Sequence, residues 1–119
     1  MDFSKITDCR DTAFKGCSNI GDVEMPLLTE EFGIIFDECP SITSISNLPN
    51  ITSISYPDSR WHGVFYNCTN LDTIDLSLST NVTVAQRGIA GVVPNLRILK
   101  LPSSITTVKE LLIYDCPRL

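Results

Sequence analysis

One ten-residue frame recurs along this chain, and a recurring frame of this spacing constrains architecture before any local propensity does. Phe-x-x-Cys-x-x-(Ile/Leu)-x-x-(Ile/Val) reads FKGCSNIGDV at 14–23, FDECPSITSI at 36–45 and FYNCTNLDTI at 65–74, then, in degenerate form, AGVVPNLRIL at 90–99. The anchors Cys17, Cys39, Cys68, Val93 and Cys116 are separated by 22, 29, 25 and 23 residues, which are solenoid lengths.

Each unit carries two apolar ladders. The first runs Ile20, Val23, Met25; Ile42, Ile45, Leu48; Leu71, Ile74, Leu76; and Leu96, Leu99, Leu101. The second is an Ile/Val-Thr-x-(Ile/Val) step: ITDC at 6–9, ITSI at 51–54, VTV at 82–84 and ITTV at 105–108, whose last slot takes Cys9, Ile54, Val84 and Val108. Both spell short strands, because side chains two apart share a face and β-branched residues suit a pleated, half-buried surface. A single unit cannot bury its apolar edge, so units must stack and pool their ladders into one core.

These residues resemble the BspA-type leucine-rich repeat, whose unit of roughly 23 residues reads V-T-x-I-x-x-x-A-F-x-x-C-x-x-L-x-x-I-x-L-P. ITDCRDTAFKGCSNIGDVEMP at 6–26 and NLRILKLPSSITTVKELLIYDC at 95–116 follow it closely. The resemblance implies a leucine-rich repeat solenoid: a right-handed coil of about four to five irregular repeats, with short parallel strands joined by turns or short helices. Two departures stand out. The second unit has an extra residue before Leu48 and a long segment, SYPDSRWHG at 55–63, and the fourth replaces the Phe and Cys anchors with Ala90 and Val93.

The 119 residues make a single domain, 1–119, with 43% hydrophobic and 19% charged residues. No apolar run approaches the roughly 20 residues of a membrane span, so membrane insertion is not expected. The N-terminus MDFSKITDC lacks the basic start and apolar core of a secretory signal. Net charge is −5, with nine acids and three bases in residues 1–40 against five acids and six bases in 41–119. No basic stripe exists to release counterions, which argues against a nucleic-acid partner. The acidic N-terminal portion reads as a solvated edge or, more sharply, as a surface for a basic partner.

The five cysteines fall in repeat columns, where a thiol behaves as a small hydrophobe. Stacking brings Cys17 near Cys39 and Cys39 near Cys68, so a disulfide is conceivable without being implied. With no C-x-x-C pair and His62 as the only histidine, zinc has too few donors, and no cofactor is expected. Three sequons, at Asn50, Asn67 and Asn81, follow from the repeat's demand for a turn residue before an apolar-Thr step. Catalytic motifs are absent, and the acidic pairs Glu30-Glu31 and Asp37-Glu38 read as solubilising charge in connecting segments.

A solenoid of this kind offers ladders of exposed side chains. Residues flanking the central apolar position of each first-ladder strand point outward and align into columns: Asp22, Ser44, Thr73, Ile98 and Glu24, Ser46, Asp75, Lys100. The inserted loop supplies Tyr56, Arg60, Trp61 and His62, residue types enriched at binding hot spots, although Trp61 equally suits a plug over an apolar gap. The ends show no obvious polar caps, which fits a fragment of a longer array, ends covered by other subunits, or poor capping that is tolerated, and uncovered strand edges invite pairing with another chain. The expectation is therefore a non-enzymatic, adhesion-type protein-interaction module with a protein partner, which the resemblance associates with microbial surfaces. The alternative is a structural subunit of a surface or virion assembly, homo- or hetero-oligomeric through its solenoid ends, with Phe3 and Leu119 buried.

Overall fold

A computed structural model describes residues 1–9, 12–33, 35–54, 64–85, 88–109 and 112–119, without the side chains of Glu30 and Glu31. Eleven short strands are formed by these residues, and no helix. They are β1 (Gly21–Glu24), β2 (Glu30–Phe32), β3 (Ile42–Ser46), β4 (Ile51–Ile54), β5 (Phe65–Tyr66), β6 (Thr73–Asp75), β7 (Val84–Ala85), β8 (Ala90–Gly91), β9 (Ile98–Lys100), β10 (Thr107–Val108) and β11 (Ile113–Tyr114). Every pairing is parallel, in the orders β1-β3-β6-β9, β2-β4, β7-β10 and β5-β8-β11. Successive coils thus lay equivalent segments side by side, and the protein is a parallel β-solenoid of the expected class.

The first ladder forms the four-stranded sheet. Val23, Ile45, Ile74 and Leu99 align in register, and Ile42, Leu48, Leu71, Leu76 and Leu96 join them in the buried core. The extra residue before Leu48 is absorbed by Asn47, whose φ of 56° puts it in the left-handed region that asparagine tolerates. Leu48 therefore still points inward.

Three readings from the sequence need correction. Glu30 and Glu31 lie in a strand, not a connection: β2 pairs with β4, and Phe32 stands opposite Ile54 in the slot closing the second ladder. Its sequence, Thr29-Glu30-Glu31-Phe32, hides the step because an aromatic residue replaces Ile or Val. In the fourth unit that slot belongs to Ala85, opposite Val108, and not to Val84, which stands opposite Thr107. Asp37, too, is no solvated charge: it is 4% exposed, with the Lys15 ammonium 2.9 Å from one carboxylate oxygen. Burial of one charge is tolerable only with such a partner.

The second ladder breaks between β4 and β7, which share no pairing. After Leu76 the chain takes additional residues, Ser77 to Asn81, before returning at Val82, and this carries the turn outward. Ser79 fills the gap: fully buried, its hydroxyl donates to the Leu48 carbonyl at 2.8 Å and gives that buried acceptor a partner.

Polar side chains stitch the turns of one coil to the next. Asn50, Asn70 and Asn95 donate to the carbonyls of Pro26, Pro40 and Thr69 at 2.7–2.8 Å, and Ser41 both donates to the Cys17 carbonyl and accepts from the Ile20 amide. Cysteine does the same beside the core. The Cys39 thiol lies 2.6 Å from the Phe14 carbonyl and the Cys68 thiol 3.1 Å from that of Phe36. The anchor column therefore selects a small apolar residue that also donates to the preceding coil, which explains cysteine over valine or alanine. All five cysteines are thiols. Burial pushes the Cys68 thiol up to about 12 and also raises those of Cys39, Cys116 and Cys9, so these groups are poor nucleophiles.

Candidate interaction face

The sheet β1-β3-β6-β9 places the two predicted columns on one outer face. Asp22, Ser44, Thr73 and Ile98 occupy successive positions of the ladder, as do Glu24 with Ser46 and Asp75 with Lys100. Their side chains are partly or fully exposed while the residues between them are buried or half-buried, the alternation a one-sided strand requires. Ile98, at 41% exposed, is the apolar member of the first column.

Electrostatics divide this face. Toward the C-terminal end the acids have cationic partners: Lys100 lies 3.3 Å from Asp75, and Arg97 bonds to Asp72. Asp75 is held below the usual carboxylate range first by the Ser77 hydroxyl and amide and then by Lys100, and Asp72 by Arg97 and the Thr73 hydroxyl. Toward the N-terminal end the partners are neutral. Asp22 accepts from the hydroxyls of Thr43 at 2.7 Å and Ser44 at 2.8 Å, which lower its pKa without cancelling its charge. Glu24 stands exposed beside it. The face is thus a net acid at one end and locally neutralised at the other.

Shape follows the same division. Residues Met1 to Ser4 form a wall at the first strand and, with Asp22, Glu24, Ser44 and Ser46, enclose a recess of about 340 Å³. A second hollow of about 330 Å³ adjoins it, lined by Glu24, Ser46, Asp75 and Leu78 among others. The outward columns were legible from strand alternation. The wall was not, because Asp2 and Phe3 precede the first repeat and no periodicity assigns them a place.

Of the other predicted contact residues, Tyr56, Arg60, Trp61 and His62 lie outside the described residues. Chemically, the face can offer carboxylates, hydroxyls and one exposed isoleucine to an extended ligand. Among the described residues no group of three histidine, cysteine or acidic side chains could hold a metal ion, and no helix is long and apolar enough to cross a membrane.

A family model described as the BspA type leucine rich repeat region, in six copies, matches residues 2–119. No curated protein and no solved structure matches the chain. A match over nearly the whole length, on a parallel solenoid whose first ladder aligns Val23, Ile45, Ile74 and Leu99, establishes that the chain belongs to the BspA-type leucine-rich repeat family, whose scaffolds typically mediate protein–protein interaction.

Proposed function

We propose that this protein is a non-enzymatic, adhesion-type interaction module that receives a basic, extended segment of a partner protein on the N-terminal half of its strand face. The observation that carries this reading is the pairing of Asp22 with two hydroxyl groups instead of a cation, beside exposed Glu24 and a recess walled by residues 1–4. A carboxylate compensated only by neutral donors keeps its attraction for an incoming lysine or arginine, whereas the Asp75–Lys100 pair has already spent it. Hydroxyls at Ser44, Ser46 and Thr73 supply adaptable hydrogen bonding along the same track. The family's association with microbial surfaces supports an adhesive role there.

Calorimetric titration with an extended lysine- and arginine-rich peptide tests the reading. Binding that weakens with salt and drops at least about tenfold in the Asp22→Asn/Glu24→Gln variant supports it, since the loss of two charge contacts is worth that much. Asparagine at position 22 can still accept from Thr43 and Ser44, so the scaffold is preserved. Binding that survives this change but disappears in Trp61→Ala would move the site to the inserted loop and end the strand-face reading.

A further inference from the structure

We propose that Lys15 and Asp37, with Glu38 as the proton carrier, form an intramolecular amide bond that joins the first coil to the second. Lys15 and Asp37 hold the same position in adjacent coils. The Gly16 amide donates to the Asp37 carbonyl at 3.0 Å, and the rings of Phe14 and Phe36, one residue earlier, stack 5.6 Å apart at 14°. With both backbones fixed in this way, Lys15 Nζ lies 2.9 Å from Asp37 Oδ2. Glu38 Oε1 is 3.6 Å from the same nitrogen.

A simple ion pair leaves this carboxylate unfinished. The Asp37 side chain is 5% exposed, and its second oxygen, Oδ1, is buried with no hydrogen-bond partner. Buried carboxylate oxygens are normally satisfied, so a bare one is a standing cost of the charged state. Amide formation removes that cost at its source, because the charge disappears and one of the two oxygens leaves. The other lysine–aspartate pair is a contrast within the same molecule. Lys100 lies 3.3 Å from Asp75 Oδ2, while Oδ1 accepts from the Ser77 hydroxyl and amide, so both oxygens are engaged and that pair is complete as a salt bridge.

The chemistry balances without an oxidant or a cofactor. Asp37 holds Lys15 in its charged form, so a proton first passes from Nζ to the carboxylate, across the 2.9 Å contact or by way of Glu38. The carboxylic acid that results suits the buried Asp37 site better than the ion does. The Nζ lone pair then attacks Cγ and the Nζ–Cγ bond forms. Glu38 takes the surplus proton from nitrogen and returns it to the departing oxygen, and the Cγ–O bond breaks to release one water. Holding amine and carboxyl in contact replaces the high concentration that such a condensation otherwise needs. The bond closes a ring of residues 15–37 that contains β1, so Asp22 and Glu24 become tied covalently to the second coil.

Intact-mass spectrometry of the purified 119-residue chain, incubated at neutral pH, provides the test. The expected mass is lower than that of the sequence by one water molecule, and a proteolytic digest should contain a branched peptide joining Lys15 to Asp37. Lys15→Arg keeps a cation beside Asp37 but has no amine to condense, so it should retain the full sequence mass. Glu38→Gln, at a position 44% exposed, leaves the Lys15–Asp37 contact in place and should slow the loss of water about a hundredfold, the scale of a missing proton carrier. Circular dichroism of both variants confirms that the solenoid is retained. A parent chain that keeps its full mass, a lost water that maps to other residues or persists in Lys15→Arg, or a Glu38→Gln variant that reacts as fast as the parent would each overturn the proposal.

Discussion

The two ends of this solenoid are built from the same repeat and finish differently. At the N-terminal end, Phe3 begins an aromatic series that runs through Phe14, Phe36 and Phe32 to Phe65, with successive ring centroids 5.2–6.2 Å apart. The next residues in Phe65's strand column are Ala90 and Ile113, so that column continues without a ring. Rings of that size reach across the gap between coils and bury the first coil from above. Toward the C-terminal end the fillers are smaller, and the last coil keeps its apolar residues half exposed. Covering the outermost coil takes a side chain large enough to span the gap between coils; Phe3 provides it for the first coil, and the last coil has only Ile113 in the column of Phe65.

The sharpest way to break this contrast is to remove the plug. Phe3→Ala should destabilise the protein by about 3–5 kcal/mol, the usual cost of truncating a buried phenylalanine in a site that cannot collapse. The corresponding truncation at the other end, Leu119→Ala, should cost less than about 1 kcal/mol, because a half-exposed side chain loses little burial. Urea denaturation of both variants, compared with the parent protein at one low concentration, measures the difference. Equal losses would mean that the ends are energetically alike and that Phe3 does not close the array.

A second difference concerns the thiols. With Cys68 pushed up to about 12 by burial against an unfolded value near 9.0, the folded protein keeps a proton that the unfolded chain gives up. The stability this supplies is fully present below pH 9 and is lost as pH rises toward 12. Between pH 9 and pH 11 the loss should be about 2–3 kcal/mol. Cys68→Ala lacks that slope, so the stability gap between it and the parent should narrow over the window. Alkylation reports the same asymmetry by location. Cys116, only partly buried in the last coil, should react with iodoacetamide well before buried Cys39 and Cys68, as followed by mass spectrometry.

The parts of this structure that repeat could be read from the sequence, and the parts that interrupt the repeat could not. Period and alternation were enough for the anchor column, the first ladder and the outward columns from Asp22 to Lys100, because each is a residue type recurring at a fixed offset. Phe32 escaped because it fills an aliphatic slot with a ring, and its neighbours Glu30 and Glu31 look like loop residues. Asp37 escaped because its burial depends on Lys15 in the coil before it, a pairing that no local pattern announces. The role of Phe3 lay beyond reach for the same reason, being decided by its packing against Phe14 and Phe36 and not by any offset.

The smallest effect lies in the backbone. The residue just before each anchor is left-handed: Gly16, Glu38, Asn67, Val92 and Asp115 have φ of 70°, 53°, 55°, 54° and 52°. The turn is therefore a property of the repeat, and the coils differ in how well the residue there suits it. Glycine bears the conformation freely and asparagine with little cost, but a β-branched valine is strained in it. The first coil is relaxed and the fourth is not. Replacing Val92 by Asn should raise stability by about 1 kcal/mol, read as a shift of the denaturation midpoint at constant slope. Gly16→Val should lower it by about 1–2 kcal/mol, and there the cost is almost wholly conformational, since a Cβ at Gly16 would meet no atom within 4 Å. If instead Val92→Asn destabilised the protein, the half-buried valine side chain would be contributing more by packing than its backbone costs, and the strain would not distinguish the coils.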